Sequence, residues 1–310
     1  MRVLFFGTPD FARVVLSHLV DSPHQVVGCV TQPPRPSGRG LKLVDPPAAR
    51  LAMDAVIPVF QPEKLHSADS LARLRALGAD LFVTAAFGRL LRPSLLTMPP
   101  RGCWNVHTSL LPRHRGASPA TSALLAGDLW TGVSIFELDE GMDTGPLIAQ
   151  AMTPIGPEET AGELTERLAE LGGKTLVETI TREAGTPLPR HAQPEELATY
   201  SRLLTKDDGR VSWSRPSLHV DRQIRAVTPW PGAFTFFGDK RVRIHRAIPL
   251  HEMAESSEAG TVVGVGGAID VACGQGAIRL MELQTEGKTR QTANEWARGA
   301  RLTVGARFDG

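Results

Sequence analysis

Short apolar runs alternate with amphipathic segments along the first half of the chain. Residues 3–6 (VLFF) are continuously apolar and are followed by Gly7, which predicts a buried strand and then a turn. Over residues 9–20 the apolar side chains fall roughly on one face of a helix, and residues 25–30 and 79–85 again resemble buried strands. Because strands that alternate with helices form parallel sheets, this pattern predicts a doubly wound α/β domain with a mostly parallel sheet.

The remainder of the chain extends this domain and then changes character. Residues 103–107 and 132–138 predict further strands, with a helix over about 118–127 between them. Residues 185–200 are rich in proline and polar side chains and lack a clear period, which is typical of a connector. Beyond them, short β-rich runs separated by glycine-containing turns predict a small barrel or sandwich. The predicted organisation is an α/β domain over 1–190, a linker over 191–204 and a mainly β domain over 205–310.

Composition and charge fit an ordinary globular protein. The chain has 310 residues, of which 42% are apolar and 22% charged, so about two domains are expected and a disordered or fibrous chain is excluded. A net charge of +1 provides no global basic field for nucleic acid, so any such surface must be local. Residues 222–246 concentrate positive charge, with Asp239 as the one acidic side chain against Arg222, Arg225, Lys240, Arg241, Arg243 and Arg246.

Cysteine usage and the N-terminus indicate the cellular compartment. Cys29, Cys103 and Cys273 are widely spaced and form neither a CxxC pair nor a cluster with metal-ligand spacing, so we expect reduced thiols and no metal. The N-terminus lacks an apolar stretch long enough for a signal peptide, and no run approaches the ~20 apolar residues of a membrane span. We therefore expect a cytoplasmic protein.

The first strand-to-helix turn lacks the fingerprint of a dinucleotide site. That fingerprint needs G-x-G-x-x-G and an acidic ribose ligand about 20 residues further on, whereas this turn contains Gly7, Thr8 and Pro9. We expect Gly7 to make the turn and Pro9 to start the helix. A nicotinamide-dependent oxidoreductase is therefore disfavoured.

The densest group of candidate catalytic residues follows the strand predicted over residues 103–107. Strand alternation places Asn105 and His107 on one face at the carboxyl end of that strand, and Asp143 lies in an acidic, glycine-containing loop after the next one. With no evident Ser or Cys nucleophile, this set fits direct attack of a substrate amine on a carbonyl. The amide would stabilise an oxyanion, His107 would accept the proton, and Asp143 would orient the imidazole and raise its pKa. From the residues alone, a structural histidine and a simple turn stay open as alternatives.

Several motifs resemble one enzyme family over nearly the whole chain. The segments NVHTSLLPRHRGASP (105–119) and GMDTGP (141–146) resemble the signature of the 10-formyltetrahydrofolate-dependent formyltransferases. Four further matches resemble the members that formylate methionyl initiator tRNA, namely TPDFA (8–12), TQPPRPSGRGLKL (31–43), VFQPEKL (59–65) and RAVTPWPGAF (225–234).

This resemblance implies a fold, a co-substrate and roles for particular residues. It implies a Rossmann-like N-terminal domain, a small C-terminal β-barrel of OB-like topology, and catalysis without a metal by Asn105, His107 and Asp143. The co-substrate would be 10-formyltetrahydrofolate, and the residues expected to hold it are Ser109, Leu110, Leu111, Pro112, Arg89 and Leu91.

The resemblance also implies a nucleic-acid partner. The loop 35–42 resembles the family insertion that enters the acceptor arm of initiator tRNA, and the basic window 222–246 would follow the tRNA backbone. The expected contacts are Arg35, Arg39, Lys42, Arg222, Arg225, Arg241 and Arg243. Pro34 and Leu203 depart from the family pattern, which puts details of tRNA contact in doubt but leaves the catalytic trio untouched. We expect a monomer of the bacterial cytoplasm that acts in translation initiation.

Other functions remain to be weighed against this one. A sugar-amine N-formyltransferase would share the catalytic trio, but the loop 31–43 and the segment 225–234 argue against it. A non-catalytic RNA-binding protein would use the basic β domain alone, and the intact trio argues against that.

Overall fold

The computed structural model describes residues 1–37, 42–250 and 257–310. By its internal contacts the chain forms two compact units. The N-terminal unit comprises Met1–Pro119, Trp130–Pro154 and Thr165–Ser201, and the C-terminal unit comprises Ala120–Leu129, Ile155–Leu164 and Arg202–Gly310. Among the described residues, no helix is both long and apolar enough to span a membrane.

All the helices and strands predicted for the first part of the chain are confirmed. In chain order the elements are β1 (Arg2–Gly7), α1 (Asp10–Val20), β2 (Gln25–Val30), β3 (Arg35–Ser37), β4 (Lys42–Val44), α2 (Pro47–Asp54), β5 (Val59–Phe60), α3 (Ala68–Ala76), β6 (Leu81–Ala85), α4 (Pro93–Leu96), β7 (Cys103–His107), β8 (Arg115–Gly116), α5 (Pro119–Ala126), β9 (Trp130–Glu137), β10 (Leu147–Pro154), α6 (Ala161–Gly185) and β11 (Tyr200–Ser201).

The main sheet of the N-terminal unit is mixed and mostly parallel. It has seven strands in the order β10-β9-β7-β6-β1-β2-β5. The pairs β1–β2, β2–β5, β1–β6 and β6–β7 are parallel, whereas β9 pairs antiparallel with both β7 and β10. The Rossmann-like fold class is confirmed. On one side the sheet ends with β9 and β10, which form antiparallel pairs.

The first βα turn depends on close packing at Gly7. The interior positions of β1 are buried on both faces, and α1 covers the sheet with an apolar stripe of Ala12, Val15, Leu16 and Leu19. A Cβ atom on Gly7 would lie 2.5 Å from the Ala12 Cβ and 2.9 Å from the Ala85 carbonyl oxygen. Only glycine therefore allows α1 to start this close to the ends of β1 and β6.

The C-terminal unit is built on an antiparallel sheet. Its elements after residue 201 are α7 (Ser217–Ala226), β12 (Phe234–Phe237), β13 (Lys240–Leu250), β14 (Val262–Val265), β15 (Ile269–Ala272), β16 (Ala277–Thr285), β17 (Gln291–Thr292) and α8 (Ala293–Ala300). The strand order is β12-β13-β16-β15-β14, with β17 beside β16, and the sheet curls into a half-barrel. The predicted small β-barrel class is confirmed, with α7 and α8 added to it.

Aromatic packing closes the core of the C-terminal unit. Phe308 contacts the rings of Trp213, Phe237 and Trp296 at centroid distances of 6.0, 5.4 and 5.8 Å. Helix α8, which presents Trp296, starts at a capping box in which Thr292 and Glu295 bond each other's backbone N–H groups. This core packs against β13, the strand that carries part of the basic window 222–246.

Candidate active site

The candidate site lies at the carboxyl ends of the central strands. The chain leaves β1 for β2 on one side and returns to β6 on the other, so the strand order reverses between β1 and β6. Open α/β sheets bind ligands in the crevice outside such a switch point. Strand β7 is the next neighbour of β6, and it brings Asn105 and His107 to this edge on one face.

Thr84 orients the Asn105 side chain. The two residues are paired in the β6–β7 register, and the buried Thr84 hydroxyl donates to Asn105 Oδ1 at 2.6 Å. Because Oδ1 is occupied, the Nδ2 hydrogens are the donors that Asn105 can offer to a ligand. No local sequence pattern indicates Thr84, since only the register of β6 and β7 shows that it lies beside Asn105.

His107 is buried and its two ring nitrogens have different surroundings. Nε2 lies 3.0 Å from the His114 carbonyl oxygen, so Nε2 carries the proton and donates it to that carbonyl. In the neutral ring Nδ1 is then unprotonated, and it lies 3.6 Å from Asp143 Oδ2. That distance is too long for a hydrogen bond but favours an ion pair once the ring takes up a proton.

Burial sets the charge state of His107. Burial lowers the pKa of His107, and this effect exceeds the opposite one of the Asp143 charge and the hydrogen bond to the His114 carbonyl. The Asp143 charge raises the pKa of His107, as predicted, but desolvation of the protonated ring outweighs that effect and the net shift is downward. A neutral imidazole with an unprotonated Nδ1 follows at pH 7.

Asp143 is held from two directions. Its backbone is left-handed, with φ of 56°, which is uncommon for a residue other than glycine. Its Oδ2 accepts from the Gly116 N–H at 2.7 Å, and the Gln193 side-chain amide donates to the carbonyl oxygens of Asp143 at 2.8 Å and Gly145 at 2.7 Å. The carboxylate is thus fixed beside His107.

The SLLP segment, predicted to hold folate, has its backbone fixed by the antiparallel strands. The Ser134 hydroxyl on β9 donates to the Ser109 carbonyl at 2.7 Å and accepts from the Leu111 N–H at 3.0 Å. From β10, Gln150 Nε2 donates to the Leu111 carbonyl at 2.9 Å. Ser109 and Leu111 are buried, whereas Leu110 and Pro112 are half-buried at the edge of the site.

The second predicted folate stretch, residues 87–91, lies after β6. Its Phe87 carbonyl accepts from the Thr8 hydroxyl at 3.3 Å and from Gln32 Nε2 at 3.0 Å. Leu91 is buried, and Arg89 Nη1 donates to the Pro62 carbonyl at 2.7 Å. A groove of about 560 Å³ adjoins this stretch, and its lining includes Lys64, His66, Arg89 and Arg92.

Of the predicted tRNA contacts of the N-terminal unit, Arg35 and Lys42 lie on the two paired strands of a short hairpin. Strands β3 and β4 pair antiparallel, with Arg35 opposite Val44 and Lys42 opposite Ser37. The Arg35 guanidinium donates to Gln32 Oε1. Arg39 lies outside the described residues.

The guanidinium groups of the predicted tRNA contacts in the C-terminal unit differ in the contacts that they already make within the protein. Arg225 is mostly buried and pairs with Asp221 at 2.9 Å. The Arg222 guanidinium packs on Gly127, and that of Arg241 lies 3.7 Å from the centre of the Phe234 ring. Arg243 is exposed and donates from Nη2 to the Pro231 carbonyl at 2.8 Å.

No cluster of metal-ligating side chains accompanies this site. Across residues 1–37, 42–250 and 257–310, the structure holds no group of three or more His, Cys, Asp or Glu side chains placed to bind a metal ion. The side chains described at the candidate site are an amide, an imidazole and a carboxylate.

Comparison with known families identifies the class of protein. Residues 1–180 match the family model described as formyl transferase, and residues 203–301 match that of the formyl transferase C-terminal domain. The chain therefore belongs to the formyl transferase family and is a transferase.

Curated relatives extend over the full length. Proteins of Gluconobacter oxydans and Geobacter sulfurreducens, each named methionyl-tRNA formyltransferase, are 44% and 42% identical to this chain. The matches cover 99% of the chain, with 100% of the first relative and 96% of the second. Within the family, the chain is thus similar to methionyl-tRNA formyltransferases from end to end.

Solved structures share the fold at low sequence identity. An N-formyltransferase from Helicobacter canadensis, in complex with folinic acid and dTDP-3-aminofucose, matches with a TM-score of 0.68 at 16% identity, over 90% of this chain and 98% of its own. HypX from Aquifex aeolicus, in complex with tetrahydrofolic acid, matches with a TM-score of 0.66 at 16% identity, over 98% of this chain and 48% of its own. These likenesses concern the fold.

Proposed function

We propose that this protein transfers the formyl group of 10-formyltetrahydrofolate to the α-amine of methionyl initiator tRNA in the bacterial cytoplasm, acting as a monomer. The observation that carries the proposal is full-length similarity, at 41% to 44% identity, to bacterial proteins named methionyl-tRNA formyltransferase. The arrangement of Asn105, His107 and Asp143 supports the reaction type, since it offers a donor, a neutral base and a carboxylate at one edge of the sheet.

The proposed reaction is direct attack of the amine on the formyl carbon. The nitrogen bonds to that carbon while an electron pair of the C=O bond moves to oxygen, and the Asn105 Nδ2 hydrogens donate to the oxyanion. The surplus proton on nitrogen passes to Nδ1 of His107, and Asp143 pairs with the resulting imidazolium at the 3.6 Å seen here. As the oxyanion collapses, the bond from carbon to N10 of the folate breaks and N10 takes the proton.

The charge state of His107 fits this role. A base must be unprotonated to accept a proton, and the lowered pKa of His107 keeps its ring neutral at pH 7. An amine next to an ester is also less basic than a lysine side chain, so a modest base suffices to remove its proton after attack.

The folate is proposed to lie along the SLLP segment and residues 87–91. Hydrogen bonds from Ser134 and Gln32 already fix the backbones of these two stretches, so a folate would meet a largely preformed surface. The cationic groove beside Arg89 suits the carboxylates of the glutamate portion of a folate. Ligands in the names of the fold neighbours, tetrahydrofolic acid and folinic acid, support a folate co-substrate.

The tRNA is proposed to contact the hairpin and the basic window of the β domain. Arg35 and Lys42, with Arg39 between them, would reach the acceptor arm, and Arg222, Arg241 and Arg243 would contact phosphates. Arg225, already paired with Asp221 one turn earlier on α7, would act by stabilising the helix that carries Arg222.

The substrate is tested by offering two amines. Purified protein receives 10-formyltetrahydrofolate with methionyl initiator tRNA or with a dTDP-3-amino sugar, the substrate class of the structural neighbour. Formylation of the tRNA alone is the expected result. Formylation of the sugar alone would contradict the proposed substrate and leave the site chemistry intact.

A further inference from the structure

Residues 191–201, here called the 191–201 segment, run against the loops of the candidate site within the N-terminal unit. The backbones of His191 and Leu147 exchange two hydrogen bonds of 2.8 and 2.9 Å at the start of β10. At the other end, Tyr200 and Ser201 pair in parallel with Arg115 and Gly116 as strands β11 and β8. A stretch whose composition predicts a connector is thus anchored at both ends.

Gln193 connects this segment to the loop that carries Asp143. Its Nε2 donates to the carbonyl oxygens of Asp143 and Gly145 at 2.8 and 2.7 Å, which uses both amide hydrogens. Its Oε1 accepts from Arg115 Nε at 3.1 Å. The Arg115 side chain is only 1% exposed, so its guanidinium fixes which way the Gln193 amide faces.

The same segment supports the other partners of the His107–Asp143 pair. The Thr199 hydroxyl accepts from the His114 N–H at 2.8 Å, and the His114 carbonyl is the acceptor for His107 Nε2. The Ser201 hydroxyl donates to the Arg115 carbonyl at 3.0 Å, next to the Gly116 N–H that binds the Asp143 carboxylate. Both ends of the pair therefore rest on this segment.

We propose that Gln193 is a positioning residue that holds the Asp143 carboxylate against His107. A left-handed backbone at a residue other than glycine persists only where the surroundings fix it, and the two Gln193 hydrogen bonds bind that backbone on its carbonyl side. This inference rests on the proposed function, since the pair must act in formyl transfer for its position to affect the rate. Small displacements of a catalytic group cost up to about 100-fold in rate.

The test uses the full chain with Gln193→Glu. This substitution keeps an oxygen for Arg115 and removes the amide donors to both carbonyls. We expect kcat for methionyl-tRNA formylation to fall about 10- to 100-fold, with the KM values for tRNA and folate within about twofold of those of the unsubstituted protein.

A matched control is available in the N-terminal unit. Gln25 stands at the start of β2, at the amino end of the sheet, and its Oε1 accepts from Arg2 Nη1 at 3.0 Å, as Gln193 Oε1 accepts from Arg115. Gln25→Glu therefore makes the same chemical change beside an arginine at the opposite end of the strands from the candidate site, and its kcat should stay unchanged. An equal loss of kcat in both variants would overturn the inference.

A double variant separates positioning from general damage. With Asp143→Asn already in place, adding Gln193→Glu should cost little more, because both changes remove the same interaction. Losses that multiply in full, or a Gln193→Glu protein with unchanged kcat, would overturn the proposal.

Hydrogen exchange keeps this result distinct from the proposed function. Amides of residues 139–146 should exchange faster in Gln193→Glu than in Gln25→Glu or the unsubstituted protein. If the unsubstituted protein fails to formylate the tRNA, the proposed function fails, while equal exchange in all three proteins would overturn the role of Gln193 itself.

Discussion

The Thr84 hydroxyl binds the oxygen end of the Asn105 side chain. An asparagine can offer either its oxygen or its nitrogen, and the two ends differ in chemistry but hardly in shape. With Oδ1 bound to Thr84 at 2.6 Å, the Nδ2 hydrogens are left for other partners, which suits the oxyanion of the proposed reaction. The buried hydroxyl on the neighbouring strand thus supports the orientation in which Asn105 acts as a donor.

Replacing Thr84 by valine tests this role with almost no change of shape. We expect Thr84→Val to lower kcat about 10-fold, which corresponds to roughly 1.4 kcal/mol of lost transition-state stabilisation, with KM little changed. Thr84→Ser restores the hydroxyl and should recover most of the rate. Steady-state kinetics with methionyl-tRNA measure kcat for both variants. A Thr84→Val protein with the unsubstituted kcat would show that Asn105 does not need the Thr84 hydroxyl.

At the residue scale, the site residues that the sequence predicts are those placed by the alternation of side chains along a strand. Asn105 and His107 were predicted because strand alternation alone places them on one face at the end of β7. Thr84 and Gln193 could not be found in this way, since the first depends on the register between two strands and the second on a contact 50 residues away in sequence. The upward effect of Asp143 on the His107 pKa was predicted, whereas the larger downward effect of burial was not, because the depth of burial is a property of the fold.

At the scale of elements, the short β8–β11 pair holds the candidate site together. Gly116 has φ of 110°, and a Cβ atom there would lie 2.3 Å from the Ser201 carbonyl oxygen. That carbonyl accepts from the Ala117 N–H at 3.1 Å. Because the Gly116 N–H also binds Asp143, any shift of this pair moves the carboxylate.

Gly116→Ala should therefore reduce both stability and catalysis. We expect a loss of about 1–3 kcal/mol in the free energy of unfolding, from backbone strain and the clash with Ser201, together with a lower kcat. Urea denaturation and formylation assays measure the two effects. Gly185→Ala is the matched control, since a Cβ atom at Gly185 meets nothing within 4 Å. Equal stability and rate in the two variants would contradict this account.

The elements that the sequence predicted were those with strong local signals. The interiors of strands such as β1 and β6 are buried and mostly apolar because helices cover both faces of a parallel sheet. Strand β10 was missed because its buried and exposed positions alternate at the edge of the sheet, in a run without strong apolar character. The form of the 191–201 segment depends on partners such as Arg115 and Leu147, which no local pattern shows.

At the scale of the whole molecule, the length and composition predict about two domains, and the net charge is close to zero. The sequence shows how many positive charges the basic window 222–246 contains but not which of them already have partners in the protein. In the fold, Arg225 pairs with Asp221 and the Arg241 guanidinium lies over an aromatic ring. The domain boundaries at 190 and 205 remain predictions. Family membership rests on the matches over residues 1–180 and 203–301, which the motifs of the N-terminal unit had indicated.

Single-turnover kinetics show whether His107 is the base in the proposed formyl transfer to methionyl-tRNA. Excess protein is mixed with 10-formyltetrahydrofolate and methionyl initiator tRNA, and the chemical step is compared between the unsubstituted chain and His107→Ala. Loss of a general base should slow that step about 100- to 10,000-fold while tRNA binding persists. A His107→Ala protein that formylates the tRNA at the unsubstituted rate would contradict the account.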